Sequence, residues 1–287
     1  MKEQKYIIEN QESFELKDIF ECGQCFRWNE NEDGSYTGVI NNGVLNVEKQ
    51  GEKIIFTGML DEDIKEVVRF YFDLDRNYEE IKMQLSNIDK YLKTSVEYGK
   101  GIRILNQDLW ETIISFIISA NNNIPRIKGI IERISKKYGT EIEWNGEKYY
   151  TFPTPEQLGK ATVEDLRSLG TGFRDIRIYE TTKKVLSGEF NLKEVQNKDT
   201  LSARDELLTL SGVGPKVADC ILLFSTLKRF DVFPIDVWVR RVMNELYIKN
   251  EDETKVSKNE IAKIAEKKFG NLEGLAQQYL FYWKRES

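Results

Sequence analysis

The sequence of 287 residues contains no histidine. Histidine is the base of Ser-His-Asp and Cys-His catalytic sites and the commonest metal ligand in proteins. Its absence excludes those catalytic systems and every histidine-ligated metal site. An enzyme built from this chain must therefore rely on Lys, Asp, Glu, Tyr, Cys or Ser.

Cysteine is nearly absent as well, since only Cys22, Cys25 and Cys220 are present. Three thiolates without histidine cannot complete a four-ligand zinc site or a four-cysteine iron–sulfur cluster. Cys22 and Cys25 have the C-x-x-C spacing found in thioredoxin-like redox proteins. Because that spacing alone is weakly specific, we interpret the three cysteines as ordinary reduced thiols.

Long apolar segments are also missing. The longest apolar run, at residues 112–120, reaches about half of the roughly 18 residues that a membrane span requires. Residues 1–10 are polar and lack the apolar core of a signal peptide. We therefore expect no membrane association and a cytoplasmic location, close to the nucleoid in a prokaryote.

The formal net charge is −6, with 48 acidic and 42 basic residues. This argues mildly against a nucleic-acid partner, because such proteins usually carry a basic face. Net charge does not report distribution, however, and each basic cluster is either a solvated helix face or part of a binding surface. The clusters are Arg126, Lys128, Arg133, Lys136 and Lys137; Arg174, Arg177, Lys183 and Lys184; and Lys228, Arg229, Arg240 and Arg241.

Residue periodicity divides the chain into a β-rich beginning and a helical remainder. Residues 35–40, 44–48 and 53–57 have the character of strands, and Asn41-Asn42-Gly43 is typical of a hairpin turn. From residue 61 the period becomes helical, and the apolar segment at 108–120 predicts a central buried helix. The sequence thus predicts an α+β fold, with a small antiparallel β-sheet domain at 1–98 and a mostly α-helical domain at 99–287.

The segment at about 203–226 predicts two helices joined by a tight turn. The first helix should end at Leu210, Gly212 and Gly214 should form the turn, and Pro215 should open the second helix. Amides at the start of such a helix favour an anion, and a DNA phosphate is one. The alternative is an ordinary helical hairpin with a glycine turn.

The ten residues LSGVGPKVAD at 210–219 resemble the helix-hairpin-helix motif of base-excision DNA glycosylases. In that superfamily a Gly/Pro-rich loop and an aspartate follow, and VFPIDV at 232–237 is similar. Three further stretches are similar to the 8-oxoguanine DNA glycosylase branch. They are GQCFRW at 23–28, SANNNIPR at 119–126 and GLAQ at 274–277. The resemblance implies the two-domain fold described above.

The resemblance also implies a bifunctional glycosylase and AP lyase. Lys216 would attack the sugar C1′ and form a Schiff base, and Asp236 would stabilise positive charge on the sugar. Lys216 lies at a helix start among apolar residues, and both features should disfavour its protonated form. Asp236 precedes a helix and should cap it.

Base recognition would use four residues. The Gly23 carbonyl would accept a hydrogen bond from N7–H, a proton that 8-oxoguanine has and guanine lacks. Gln277 would bind the Watson–Crick edge of the extruded base, while Cys220 and Phe281 would stack on its two faces.

Other residues would hold the DNA. Asn121 would fill the gap left by the base, and Arg126 and Arg174 would grip the orphaned cytosine. Phe173 replaces a tyrosine common in the family, so we expect looser discrimination of the opposite base, and Trp238 replaces a histidine near a phosphate. The hairpin would contact the backbone through Gly212 and Gly214. It would also hold a structural monovalent or calcium cation through the carbonyls of Leu208, Leu210 and Val213.

The expected partner is double-stranded DNA that contains 8-oxoguanine, bound by a monomer that requires no cofactor. Besides an inactive or structural homologue, two alternatives remain open. One is a helix-hairpin-helix glycosylase for another damaged base, although Lys216 speaks against the alkylation-damage type. The other is a non-catalytic DNA-binding helix-hairpin-helix protein, which would need neither Lys216 nor Asp236.

Overall fold

The computed structural model describes residues 1–9 and 11–286. Five strands at its beginning form one sheet: β1 (Lys2–Glu9), β2 (Trp28–Glu30), β3 (Tyr36–Ile40), β4 (Gly43–Gln50) and β5 (Lys53–Leu60). Their order is β1-β5-β4-β3-β2, and all neighbours are antiparallel. The rest of the described chain is mostly helical, which confirms the predicted α+β fold.

The turn between β3 and β4 is the predicted hairpin. Ile40 pairs with Gly43 across it, and Asn41 adopts a positive φ of 49°, which asparagine tolerates better than most residues. Strand β1 is not predicted by the sequence pattern, because adjacent Ile7 and Ile8 break the alternation. It forms because its backbone pairs with β5 along its full length, while only one of its faces packs on the core.

Four helices lie within the first hundred residues: α1 (Leu16–Phe20), α2 (Ile64–Tyr71), α3 (Tyr78–Ser86) and α4 (Lys90–Tyr98). Helices α1 and α2 pack on the sheet, whereas α3 and α4 contribute Leu85, Leu92 and Val96 to the core of the helical part. The division between residues 98 and 99 stays a prediction.

Eleven α-helices follow in the described chain: α5 (Leu109–Ser119), α6 (Ile124–Tyr138), α7 (Pro155–Leu158), α8 (Val163–Ser168), α9 (Asp175–Leu186), α10 (Leu192–Gln196), α11 (Thr200–Leu207), α12 (Pro215–Phe224), α13 (Val237–Met243), α14 (Lys258–Phe269) and α15 (Glu273–Glu286). A two-stranded ribbon, β6 (Glu141–Trp144) and β7 (Glu147–Tyr150), separates α6 from α7. None of the helices in the described ranges is long and apolar enough to span a membrane.

Helix α5 is the predicted central helix. Ile113, Ile114 and Ile117 have no exposed surface, and Phe116 packs between Phe26 and Phe224 at centroid distances of 5.5 and 5.7 Å. The aromatic contacts join the segment after α1, the centre of the helical core and α12. Three regions distant in sequence are thereby fixed to one another.

Local capping residues fix the start of α6. Asn123 caps α6 by accepting a hydrogen bond from the backbone N–H of Arg126 at 3.0 Å, and Pro125 occupies the first turn. Helix α11, in contrast, ends at Leu207 rather than at the predicted Leu210. The backbone N–H of Leu210 bonds to the carbonyl of Leu207 at 3.1 Å, so the chain tightens into three-residue turns before the hairpin.

Candidate active site and DNA interface

The turn between α11 and α12 has the geometry of an anion-binding hairpin. Gly212 has a φ of +84°, and a Cβ there would lie 2.9 Å from Cδ of Arg177. Both the backbone conformation and the lack of space for a side chain therefore favour glycine at this position. Gly214 caps α12 and is exposed, and a Cβ on it would meet nothing within 4 Å. The first amides of α12 are therefore accessible to a phosphate.

Lys216 is the second residue of α12 and its side chain enters a cavity behind the hairpin. Its Nζ lies 5.6 Å from the centroid of the Phe116 ring, within the range of a cation–π contact. The sulfur of Cys220, one turn further along α12, and the Asp236 carboxylate raise the pKa of Lys216, against the opposing effect of burial. The expectation of a neutral amine is therefore wrong in direction, because nearby partners outweigh desolvation.

Asp236 caps α13 as predicted. Its Oδ1 accepts a hydrogen bond from the backbone N–H of Val239 at 2.8 Å. The same carboxylate lines the cavity that holds Lys216. One side chain thus fixes the start of a helix and presents negative charge to the amine.

The cavity brings together all six residues predicted for catalysis and base recognition, Gly23, Lys216, Cys220, Asp236, Gln277 and Phe281. They come from the segment after α1, from α12, from the start of α13 and from α15. The cavity volume is about 60 Å³.

The sequence does not single out the other side chains that line this cavity: Cys22, Phe116, Phe224, Pro234, Val239 and Gln278. The apolar period of α5 predicts that Phe116 is buried, but it does not predict which cavity the ring faces. Burial raises the pKa of Cys22 to about 12 and that of Cys220 to about 11. All three cysteines are buried and free of disulfides, which supports their interpretation as ordinary thiols.

Gln277 carries the energetic cost of a buried polar atom in this cavity. The residue is only 6% exposed, and its Oε1 accepts no hydrogen bond from the described residues. A buried acceptor without a donor costs about 1–3 kcal/mol. The side chain is therefore arranged for a donor that the folded chain itself does not provide.

The segment before β2 holds Gly23 in a fixed position. Gly23 has a φ of +89°, a conformation that disfavours any other residue. The neighbouring Gln24 is fully buried, and its amide donates to the carbonyls of Ile19 at 2.8 Å and Arg103 at 2.7 Å. Its Oε1 accepts from the backbone N–H of Leu105 at 2.8 Å. The loop is thereby bonded to α1 and to the segment between α4 and α5.

A second group lies apart from the cavity and contains the residues predicted to hold the opposite strand. Asn121 follows α5 with a φ of +51° and is exposed. Phe173 is 52% exposed, and the guanidinium of Arg174 lies 4.3 Å from its ring centroid. Arg126 is exposed on α6, close to Gly172. An exposed aromatic ring can stack on a nucleobase, and the arginines beside it can neutralise phosphate.

Arg174 itself is 1% exposed and holds the backbone around Asn121. Its Nε donates to the carbonyl of Ala120 at 2.9 Å, and its Nη2 donates to the carbonyl of Asn121 at 2.8 Å. Burial, together with the charges of Arg126 and Arg177, lowers the pKa of Arg174. The arginine that reaches solvent beside this loop is Arg126.

Trp238 and Val237 are exposed on the first turn of α13, at 38% and 56%. They follow Asp236, whose carboxylate lines the cavity. At the hairpin, the carbonyl of Leu210 already accepts from the backbone N–H of Val213 at 3.1 Å. A cation bound by Leu208, Leu210 and Val213 stays a prediction. The described residues include no cluster of three or more Cys, Asp or Glu suited to a metal ion.

A family model for the N-terminal domain of 8-oxoguanine DNA glycosylase matches residues 6–113, and a model for the HhH-GPD superfamily of base excision DNA repair proteins matches residues 114–269. The chain belongs to the HhH-GPD superfamily of base excision DNA repair proteins.

Relatives within the superfamily resemble the chain over most of its length. An N-glycosylase/DNA lyase of Saccharomyces cerevisiae is 33% identical over 81% of this chain and 68% of the relative. The apo structure of the Clostridium acetobutylicum 8-oxoguanine glycosylase/lyase is 45% identical, covers 98% of both chains and has a TM-score of 0.92. The same enzyme in complex with double-stranded DNA containing cytosine opposite 8-oxoguanine is 45% identical. It covers 99% of this chain and 97% of its own, with a TM-score of 0.93.

Proposed function

We propose that this protein is a bifunctional DNA glycosylase and AP lyase that removes 8-oxoguanine from duplex DNA in base-excision repair. The observation that carries the proposal is the single cavity that unites Lys216 and Asp236 with Gly23 and Gln277. Superfamily membership and the similarity to 8-oxoguanine glycosylase/lyases support it.

Lys216 acts as the nucleophile. Its Nζ forms a bond to C1′ as the C1′–N9 bond breaks, and the base leaves with the bonding electrons and gains a proton. Opening of the sugar ring gives a Schiff base, and loss of a C2′ proton then breaks the C3′–O bond and nicks the strand. The amine must shed its proton first, and Asp236 stabilises positive charge as the sugar reacts.

Different residues bind the edge of the extruded base and its two faces. The unpaired Oε1 of Gln277 accepts hydrogen bonds from the N1–H and N2 amino group of the purine. The Gly23 carbonyl accepts from N7–H, which distinguishes 8-oxoguanine from guanine. Cys220 and Phe281 stack on the two faces of the base. A lost hydrogen bond of this kind is worth about tenfold to hundredfold in discrimination.

The DNA is gripped on both sides of the lesion. Asn121 enters the stack, while Arg126 and the Arg174-supported loop meet the orphaned cytosine. Phe173 has no hydroxyl with which to read the opposite base, so discrimination there is loose. Gly212 and Gly214 let the hairpin approach a phosphate, and Trp238 contacts the strand near the cavity mouth.

The protein acts as a monomer in the cytoplasm and needs no cofactor. A monovalent or calcium cation at the carbonyls of Leu208, Leu210 and Val213 would tie the hairpin to a phosphate. Titration of DNA affinity with potassium or calcium, against a large organic cation at equal ionic strength, tests that site. Equal affinities in all salts would exclude it.

The decisive experiment is borohydride trapping on a duplex with one 8-oxoguanine opposite cytosine. We expect a covalent adduct with the parent and with Lys93→Gln, a control that removes an exposed charge on α4, and none with Lys216→Gln. Base release without an adduct would remove Lys216 as nucleophile. Neither release nor adduct would point to another damaged base or to a binding protein.

A further inference from the structure

Helix α15 carries Arg285, which contacts both Phe281 and the loop that contains Gly23. Phe281 and Gly23 both line the base cavity. Arg285 lies one turn after Phe281, so the two side chains are neighbours on one face of the helix. The Arg285 guanidinium carbon is 5.4 Å from the centroid of the Phe281 ring and 5.7 Å from that of Tyr282. Both distances lie within cation–π range.

The same guanidinium contacts the loop that carries Gly23. Its Nη2 donates a hydrogen bond to the carbonyl of Glu21. Its Nη1 lies 3.2 Å from the position that a Cβ on Gly23 would occupy, and Cε1 of Phe281 lies 3.6 Å from that position. Gly23, Phe281 and Arg285 are thus in mutual contact.

Gln278 makes the second bond between α15 and this loop. Its Nε2 donates to the carbonyl of Cys22 at 2.6 Å. The carbonyls of the two residues before Gly23 are therefore both held by side chains of α15. The Gly23 peptide, whose carbonyl would read N7–H, receives its orientation from the helix that also supplies Phe281 and Gln277.

We propose that Arg285 is a positioning residue for damage recognition, which holds the Gly23 carbonyl and the Phe281 ring at a fixed separation around the extruded base. The proposal rests on the proposed function. Arg285 does not touch the reacting atoms, so its loss should impair the reading of a base and spare chemistry at a sugar that has none.

The test compares two substrates in Arg285→Met, a variant that keeps the length of the side chain and loses its charge. On an 8-oxoguanine:cytosine duplex, we expect kcat/KM for base release to fall about tenfold, from the lost cation–π contact and charged hydrogen bond. The preference for 8-oxoguanine over guanine should fall as well. On a duplex with a preformed abasic site, strand nicking should stay within about twofold, because no base is read.

Two further variants make the result specific. Arg285→Lys retains a cation that can satisfy either Phe281 or the Glu21 carbonyl, so its rate on 8-oxoguanine should be intermediate. Lys284→Met makes the same chemical change one position earlier, where the amine pairs with Glu245 at 2.7 Å, and should behave like the parent.

Parallel losses on both substrates in Arg285→Met would show a general structural role and overturn the proposal, as would unchanged activity on 8-oxoguanine. Failure of the proposed function would look different, because the parent protein itself would then not release 8-oxoguanine.

Discussion

The guanidinium of Arg174 donates a hydrogen bond to the backbone carbonyl of Asn121 at 2.8 Å, and Asn121 has a φ of +51°. The arginine is buried while the asparagine is exposed. The buried Arg174 cation thus holds the backbone of the exposed Asn121 in a conformation that few residues adopt.

Replacement of Arg174 should therefore damage both stability and DNA binding. In Arg174→Met the carbonyls of Ala120 and Asn121 lose their donor, and we expect the free energy of unfolding to fall by about 2–4 kcal/mol. Denaturant titration measures this change. Arg126→Met, at an exposed position, should lower DNA affinity with a stability change within about 0.5 kcal/mol. Equal stability of the two variants would contradict the assignment.

Capping and catalysis by Asp236 can be separated by substitution. Asparagine is as good an N-cap as aspartate, so Asp236→Asn should keep the hydrogen bond to Val239 and the stability of the parent. Its neutral amide cannot stabilise a cationic sugar, so the single-turnover rate of base release should fall by at least about a hundredfold. Asp236→Ala should show the same loss of rate and also lose about 1 kcal/mol of stability. An active Asp236→Asn variant would leave the carboxylate with a capping role alone.

The rate of adduct formation should increase with pH. The partners of Lys216 raise its pKa, so the neutral, nucleophilic amine is scarce at neutral pH and grows as the pH approaches that pKa. Single-turnover trapping should accelerate by up to about tenfold per pH unit from about pH 6 to 9. Asp236→Asn removes the negative charge that helps raise the pKa of Lys216, so the profile should move to lower pH although the overall rate falls. A flat profile in the parent would be incompatible with a protonated resting amine.

Replacement of Gln277 should preserve or raise the stability of the protein but weaken its recognition of the base. Its Oε1 is buried without a donor, so Gln277→Leu removes an unsatisfied acceptor, and the thermal midpoint should stay equal or rise. The same change deletes the contact to the purine edge, and base release should slow by about tenfold to hundredfold. Gln278→Leu, which breaks the hydrogen bond to Cys22, should instead lower the midpoint. A stabilised Gln277→Leu variant with full activity would exclude Gln277 from base recognition.

The sequence predicts the parts of the site that depend on contiguous residues. Gly212 and Pro215 set a turn and a helix start, and Asp236 precedes a helix it can cap, so local rules suffice. The pKa of Lys216 is only partly local, since one of the groups that raise it, Asp236, belongs to a different element from the lysine. Arginine is an ordinary residue of a final helix and phenylalanine is an ordinary residue of a buried one, so no pattern identifies Arg285 or distinguishes Phe116 from the rest of the apolar core.

The fold, like the site, has parts that local sequence signals predict and parts that depend on residues distant in the sequence. Hairpin β3–β4 has a turn signal at Asn41, whereas β1 has none and exists through its pairing with β5. Helix α11 ends three residues early because the chain changes to three-residue turns before the hairpin, an effect that helix propensity does not encode.

Helix α15 supplies Gln277, Gln278, Phe281 and Arg285, whereas Lys216 and Asp236 belong to the hairpin and to α13. In the proposed function, bond cleavage and most of lesion reading therefore reside in different pieces of the chain, with Cys220 as the reading residue that shares α12 with the nucleophile. Changes in α15 and the Gly23 loop would then alter the choice of lesion while the cleavage machinery stays intact, which makes substrate range a partly exchangeable property of this architecture.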